Sequence, residues 1–449
     1  MTISRLGRAA LAIAVALSPA ALAACSRQNP KGEVTVLALW TGSEKAAFTE
    51  VLKEFERQTG IVPDYQDTRA LPQVLQAEVK TGNQPDVAIM ASVGEFAEYA
   101  RGGNLVKLDG LIGEHRRDFK EHWLLPMGEG RDRHIYAVPY KVSFKSAIWY
   151  RPGRTPDPLR ENWERLVSYT TSQAEAGATP WCMGMGDAPS SGGTGTDAIE
   201  DILLHRSPEV YAKWATGRQS WSSPEVRDAW ETWHEVFVEH AYGGSRAALS
   251  TDFQDGGRPM FADPPGCLLE HQGSFIVDFY EQYQGLPNGA PRAGADFDFF
   301  PFPPFDPSGD TAGQPWLGAI DLAVMFNDTR EARELIRFLA TPKAQRIWPS
   351  DPDRGGGAIM ANEAVDAAAY RDPISRKIAG IVHSDRPMCF DASDAMPPAM
   401  RNAFSRAVLE YLNDPGRLTG LLDKLDAIHA GIPQTAWLDL PCGDKETQE

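Results

Sequence analysis

Residues 33–91 alternate short apolar runs with amphipathic segments, which leaves few folds open to the chain. The segment 33–40 ends in the apolar run VLALW, which is typical of a strand buried on both faces of a parallel sheet. Residues 43–59 are predicted as a helix because apolar side chains recur at helical spacing, with Ser43 as its N-cap. The same alternation then predicts a strand, a helix and a strand at 61–67, 71–80 and 86–91. This βαβαβ order predicts an α/β fold with parallel strands and right-handed crossovers.

The remainder of the chain continues in the same pattern, and its 449 residues exceed what one hydrophobic core usually supports. Further strands are predicted at 134–139, 145–150, 181–185, 296–302 and 317–326. Further helices are predicted at 93–101, 161–176, 224–240, 329–348, 362–381, 398–413 and 417–430, and from Ser274. Because Pro139 and Tyr140 lie between two predicted strands, we expect the chain to cross there from one lobe to another. Prolines 301, 303 and 304 predict a second crossing.

The segment 179–204 joins an apolar run, a glycine-rich loop and the start of a helix. Its SGGTGT loop permits close approach of backbone to a ligand, and Asp197 with Glu200 three residues later has the pattern of a capping box. In open α/β sheets, ligands bind outside the carboxyl ends of the strands. A binding site is therefore predicted here, although an ordinary surface loop also fits the local pattern.

Residues 1–24 have the pattern of an export signal, in which two arginines precede an alanine-rich segment too short to span a bilayer comfortably. The signal ends in LAAC, which resembles the lipobox of bacterial lipoproteins and makes Cys25 the predicted lipid anchor, followed by a linker over 25–32. Ordinary cleavage after Ala23 is the alternative. We expect an exported protein held at the outer face of the cell membrane, or in the periplasm, through this anchor alone. The formal charge of −17 argues against nucleic acid as a partner.

Four cysteines follow Cys25, and an exported chain meets an oxidising compartment in which disulfides persist. Three pairings are possible. We favour Cys182–Cys267, which joins two candidate site segments, and Cys389–Cys442, which would hold the C-terminal tail. No CxxC or Cys/His spacing is present, so no metal site is expected.

Two sets of motifs carry a family resemblance. The first set is WTGSE (40–44), FERQTGI (55–61), QPDVAIM (84–90), YARGGNLVKLD (99–109), YAVPY (136–140) and LGAIDLAVMF (317–326). Together with the lipobox, these segments resemble the extracellular solute-binding proteins of bacterial ABC importers, family 1, the carbohydrate-binding type. The second set, PWCMGM, TDAIEDILL, PMFADPPGCLLEHQGSF and FDASDAMP, resembles the alpha-glucoside-binding members of that family.

The resemblance implies a two-lobe periplasmic-binding-protein fold of type II, the maltose-binding-like type, with discontinuous lobes joined by a hinge. Residues 33–142 with 300–360 would form lobe 1, and 143–299 with 361–449 would form lobe 2. A small carbohydrate, an alpha-glucoside or another disaccharide-like sugar, would bind between the lobes of a monomer. The closed form would then deliver the sugar to the permease subunits. The resemblance implies neither catalysis nor a cofactor.

Recognition of a sugar requires aromatic rings against its C–H faces and charged or amide groups for its hydroxyls. The resemblance implies such roles for Trp40, Glu44, Arg69, Tyr140, Asp187, Asp197, Gln272, Phe275, Trp316, Asp321, Arg386 and Asp394, with Asp391 a weaker candidate. Each of these residues also has a purely structural interpretation. Glu44 could favour a helix dipole, Asp197 could be a helix cap, and Phe275 could belong to the core.

One departure from the alpha-glucoside-binding members concerns the glycine-rich loop, where they tend to carry a tryptophan and this chain reads GGTG. The missing ring favours a different disaccharide or a glycosylated alcohol. An exported glycosidase or lyase is the enzyme alternative, but the chain has no paired-carboxylate motif, GxSxG or HExxH. An adhesin or peptide-binding protein is a third possibility.

Overall fold

The computed structural model describes residues 32–130, 132–155, 159, 161–306, 313–440 and 442. The predicted export signal, Cys25 and the linker up to residue 31 lie outside the described residues. Within the described ranges, no helix is both long and apolar enough to cross a membrane.

The strands and α-helices alternate along the chain as an α/β protein requires. The strands are β1 (Glu33–Ala38), β2 (Val62–Asp67), β3 (Val87–Met90), β4 (Ala137–Phe144), β5 (Ala147–Tyr150), β6 (Trp181–Cys182), β7 (Leu269–His271), β8 (Asp298–Pro301), β9 (Trp316–Met325), β10 (Ile359–Met360) and β11 (Met388–Phe390). The helices are α1 (Gly42–Thr59), α2 (Leu71–Thr81), α3 (Val93–Arg101), α4 (Asp109–Ile112), α5 (Glu121–Leu124), α6 (Trp163–Glu175), α7 (Gly193–Arg206), α8 (Pro208–Ala215), α9 (Pro224–Trp233), α10 (Gly244–Ser250), α11 (Ile276–Tyr280), α12 (Arg330–Ala340), α13 (Pro342–Ile347), α14 (Pro373–Val382), α15 (Ala392–Ala395), α16 (Pro398–Asn413) and α17 (Leu418–Ala430).

The larger sheet has the strand order β10-β4-β9-β3-β1-β2, and β11 pairs with β9 in addition. β1 runs parallel to both β2 and β3, so the predicted βαβαβ unit is present. β9 is antiparallel to β3 and β4, and every one of its residues is buried. Its central position explains its mainly apolar sequence, in which Asp321 is the exception.

The first chain crossing was predicted at Pro139 and Tyr140, and this prediction is wrong. β4 runs without a break from Ala137 to Phe144, and its pairing with β9 shifts register between Pro139 and Lys141. A bulge accommodates a proline that cannot donate to the ladder. The chain leaves the larger sheet only after Phe144 and enters the smaller one at β5.

The smaller sheet has the order β6-β7-β5-β8. Disulfides join Cys182 to Cys267 and Cys389 to Cys442, which confirms both favoured pairings. The first bond links the end of β6 to the segment before β7, and the second holds the C-terminal tail against β11.

Two hydrophobic clusters fill the molecule, one mainly beneath the larger sheet and one around α7, α9 and α16. Ile374, Ile378 and Val382 of α14 belong to the first cluster, although the sequence analysis assigned 361–449 to lobe 2. The assignment of residue ranges to lobes stays a prediction. Residues 362–381 were predicted as one helix, but α14 begins only at Pro373.

Two predicted N-caps are wrong. Thr41 precedes α1, and the Ser43 hydroxyl instead donates to Asp278. α7 begins at Gly193, because Gly192 adopts a φ of 107° that favours glycine, so Asp197 lies inside the helix. Glu200 accepts hydrogen bonds from the backbone N–H groups of Ala392 and Ser393 rather than closing a capping box.

Gly94 offers a test of how α3 meets α15. A Cβ atom at this position would collide with the backbone carbonyl of Met396, and backbone cannot move aside cheaply. We expect Gly94→Ala to lower the free energy of unfolding by about 1–3 kcal/mol, as overpacking does. Chemical denaturation measures the change.

Gly380 provides the matched control, because it lies in α14 and has open space where a Cβ atom would lie. Gly380→Ala should raise the free energy of unfolding by up to about 1 kcal/mol through helix propensity. Equal effects of the two substitutions would contradict the close contact at Gly94.

Candidate functional site

A cavity of about 630 Å³ lies between the elements that surround the two sheets. Its size falls within the range of small-molecule sites. Eight of the predicted binding residues line it: Glu44, Arg69, Asp187, Asp197, Gln272, Phe275, Asp321 and Asp394. These side chains come from distant parts of the sequence, so only the fold brings them together.

Two adjacent strands form the floor of the cavity. Lys141 and Ser143 alternate along β4, and they lie opposite Asp321 and Ala319 of β9. Successive strand residues point to opposite faces, so this alternation places all four residues on the cavity side. Lys145 continues the same row just beyond the end of β4.

Lys141 is the centre of the first charge cluster. Its Nζ lies 2.5 Å from Glu44 Oε1 and 3.4 Å from Asp321 Oδ2, and the residue is only 4% exposed. Burial disfavours the ammonium, but the two carboxylates outweigh it and raise the pKa of Lys141 above its usual value. The Arg69 guanidinium adds a second ion pair to Glu44 at 3.3 Å.

Lys145 is the centre of the second charge cluster. Its Nζ lies 2.8 Å from Asp197 Oδ2 and 3.1 Å from Asp391 Oδ2. Burial again opposes the charge, but these carboxylates raise the pKa of Lys145 well above its usual value. Asp394 pairs with Arg401 at 3.2 Å, and burial together with the nearby Asp391 charge raises the pKa of Asp394 to about 6.

Three phenylalanines form an apolar wall. Phe253 packs edge to face against Phe275 and Phe279, with ring centroids 5.8 and 5.6 Å apart. All three line the cavity. Gln272, which also lines it, donates to the Thr194 hydroxyl at 3.4 Å. The cavity therefore offers a hydrocarbon surface beside charged and amide groups.

Four predicted binding residues lie outside the cavity lining. Trp40 is fully buried and its indole N–H donates to Asp321 Oδ2 at 3.1 Å, so it supports a lining carboxylate from below. Tyr140 neighbours Lys141 on β4 and is buried against Trp40. Trp316 is buried against Phe144. Arg386 donates through Nε to the Gln314 carbonyl, away from the lining.

Sequence reasoning missed a larger set of lining residues. It named neither lysine, although VPYKVSFK places polar residues at every second position of an apolar strand. It also missed one face of α16, which contributes Arg401, Asn402, Ser405, Arg406 and Leu409. Their spacing is that of one helix face, but the sequence of an amphipathic helix does not reveal which neighbour that face meets.

Two α/β units joined by several chain crossings, with a polar cavity between them, define a substrate-binding protein of the periplasmic-binding type. The family model described as "Bacterial extracellular solute-binding protein" matches residues 41–346. The chain belongs to this family.

Relatives and solved structures agree with the membership. The "Alpha-glucosides-binding periplasmic protein AglE" of Rhizobium meliloti is 33% identical, over 82% of this chain and 80% of its own length. The "Osmoprotective compounds-binding protein GgtB" of Synechocystis sp. is 32% identical, over 85% of this chain and 88% of its own length.

Two solved structures show the same fold. The solute receptor AcbH has a TM-score of 0.73 at 17% identity and covers 89% of this chain and 99% of its own. The maltose-bound MalE3 of T. maritima has a TM-score of 0.67 at 15% identity, with the same coverage. The predicted two-lobe fold of type II is confirmed.

A contact behind the cavity joins α1 to α11. The Ser43 hydroxyl donates to Asp278 Oδ2, and Oδ1 has no hydrogen-bond partner among the described residues. Burial raises the pKa of Asp278 to about 7, with Glu44 adding to the effect and Lys141 opposing it. The carboxyl group therefore holds a proton up to neutral pH.

Because Asp278 keeps this proton in the folded protein, we expect the stability to depend on pH. The unfolded chain releases it near the ordinary pKa of 3.8, and the folded protein keeps it to about 7. The free energy of unfolding contributed by Asp278 therefore falls as pH rises from about 4 to 7. We expect Asp278→Asn to remove this component, so that the free energy of unfolding falls less over that range, as measured by denaturation at several pH values.

Asp423→Asn, on the exposed side of α17, is the control. Parallel pH profiles for wild type and Asp278→Asn would contradict the assignment.

Proposed function

We propose that this solute-binding protein captures a neutral, hydroxyl-rich carbohydrate in the cavity and delivers it to the permease of an ABC importer. The observation that carries the proposal is the combination of a phenylalanine wall with two clusters of ion-paired side chains. A carbohydrate is complementary to this combination, because its C–H faces can pack against the phenylalanine rings and its hydroxyl groups can bond to the charged side chains.

The ion pairs hold the carboxylates ready for hydroxyl groups. Each carboxylate has about four lone-pair directions, so Asp197 keeps acceptor capacity after binding Lys145. Hydrogen bonds to charged groups contribute about 1.5–3 kcal/mol each, and a few such bonds decide which sugar binds. The name of the Rhizobium meliloti relative supports an alpha-glucoside as the first ligand class to test.

The protein acts as a binder rather than as a glycosidase or lyase. A glycosidase needs one carboxyl group as acid and a second, set across the scissile bond, as base or nucleophile. Here Glu44, Asp197 and Asp321 each lie against a buried lysine, which suits them to accept hydroxyl groups. The protein works as a monomer, and a sugar that touches both lobes favours their closure.

A panel of mono- and disaccharides tests the function. We expect at least one alpha-glucoside to raise the melting temperature, because a ligand that binds only the folded state stabilises it by about 2.7 kcal/mol at one hundred times its Kd. The bound sugar should be recovered intact. Asp187→Asn should weaken binding about tenfold or more, since the Asp187 side chain lines the cavity without a hydrogen-bond partner among the described residues.

Asp423→Asn is the control for the loss of one carboxylate, because this residue lies on the exposed side of α17. Stabilisation by peptides and by no sugar would favour a peptide-binding protein instead. Turnover of chromogenic α- or β-glucosides that is lost in Asp187→Asn or Asp321→Asn would establish an enzyme.

The proposal includes a lipid anchor at Cys25, supported by the LAAC sequence. We expect the full-length chain to fractionate with membranes and to incorporate labelled fatty acid. Cys25→Ser should move it to the soluble fraction with no change in sugar affinity. Equal fractionation of both forms would refute the anchor and favour ordinary cleavage.

A further inference from the structure

One end of the cavity is built by a loop and a helix that pack directly on each other. The loop comprises residues 187–194, and the helix is α16. Gly192 lies so close to the Ser405 carbonyl and to Leu409 that a Cβ would not fit without movement, and Gly195 lies equally close to Val408. The loop and helix therefore form one continuous surface, which we call the outer surface.

The outer surface carries three hydrogen-bonding side chains that have no partner among the described residues. Asp187, Asn402 and Arg406 all line the cavity, and none of their side chains has a hydrogen bond or ion pair within the part of the chain that the structure describes. The floor differs, because Lys141 and Lys145 are each bound to two carboxylates. New hydrogen bonds to a ligand cost least where no existing bond has to be broken.

The outer surface also lacks the aromatic wall found elsewhere in the cavity. Phe253, Phe275 and Phe279 come from other segments. Loop 187–194 and α16 contribute mainly polar side chains to the lining, with Ala188, Pro189 and Leu409 as its apolar part and no aromatic ring. The guanidinium of Arg69 already lies over the Phe253 ring, 5.6 Å from its centroid. A second sugar ring would find no stacking surface here, whereas a chain of hydroxyl groups would find several donors and acceptors.

We propose that the outer surface is a subsite for an acyclic polyol, the alcohol part of a glycoside whose sugar ring lies against the phenylalanine wall. The inference rests on the proposed function. Asn402 and Arg406 donate to the polyol hydroxyls and distinguish such a glycoside from a simple sugar and from a disaccharide. Asp187 accepts from a hydroxyl group of either part of the ligand, so its loss weakens every probe.

Calorimetric titration with three neutral probes separates the contribution of the sugar ring to affinity from that of the polyol. The probes are methyl α-glucoside with one ring, glucosylglycerol with a ring and a polyol, and maltose with two rings. We expect the wild-type protein to bind glucosylglycerol about tenfold or more tightly than either of the others. Asn402→Ala/Arg406→Ala should remove this preference and leave methyl α-glucoside binding within about twofold.

The control is Asn413→Ala/Arg417→Ala, which removes the same residue types from exposed positions outside the cavity lining, at the last residue of α16 and four residues beyond it. Arg417 forms only a surface ion pair there, with Glu410. It should retain the full preference for glucosylglycerol. Equal weakening of all three probes by Asn402→Ala/Arg406→Ala, no weakening at all, or tighter binding of maltose than of glucosylglycerol would overturn the subsite and leave the proposed function intact. Failure of all three probes to bind would overturn both.

Discussion

Two buried ammonium groups at the cavity floor determine how the cleft can be built. Lys141 and Lys145 lie on one face of the same chain segment, and each is within 3.4 Å of two carboxylates from other elements. An uncompensated buried charge costs about 3–5 kcal/mol, so helices α1 and α7 and strand β9 must present their carboxylates at these points. Because these carboxylates must lie beside the lysines for the fold to be stable, the position of the site depends on the same contacts that stabilise the fold.

The second of these lysines also lies where the chain leaves the larger sheet. The Lys145 backbone N–H donates to Leu317, and its side chain reaches Asp391, whose own N–H donates to Gly318. One ammonium group thus connects two chain crossings to Asp197 of α7. A ligand that bonds to Asp197 therefore acts directly on the region where the two units are joined. Ligand binding at Asp197 can therefore be coupled directly to a change in the angle between the two units.

The sequence predicted the features that depend on local pattern. It did not predict the features that depend on which way a side chain or a helix face points. The βαβαβ unit follows from periodicity, because a buried parallel strand and an amphipathic helix have distinct sequences. Trp40 and Tyr140 lie next to segments that line the cavity, but both side chains face the core, and motif similarity does not determine which face of a strand a residue occupies. The local sequence around Asp197 suggested a helix cap. Its actual partner, Lys145, lies 52 residues away in the chain, and a pair so distant has no local sequence signature. Ranges of residues assigned to each lobe remain untested predictions.

The charge arrangement also restricts the ligand. Glu44, Asp321 and Asp197 are each bound to a lysine, and Asp394 to Arg401, so the floor has no cation or anion waiting for a counter-ion among the residues that the structure describes. A charged ligand on the floor would have to break one of these pairs and leave a buried group uncompensated, which costs more than a new ion pair returns. Hydroxyl groups instead use the remaining lone pairs and leave the ion pairs in place. The same physical constraint that fixes the floor of the cleft therefore favours uncharged, polyhydroxylated molecules above it.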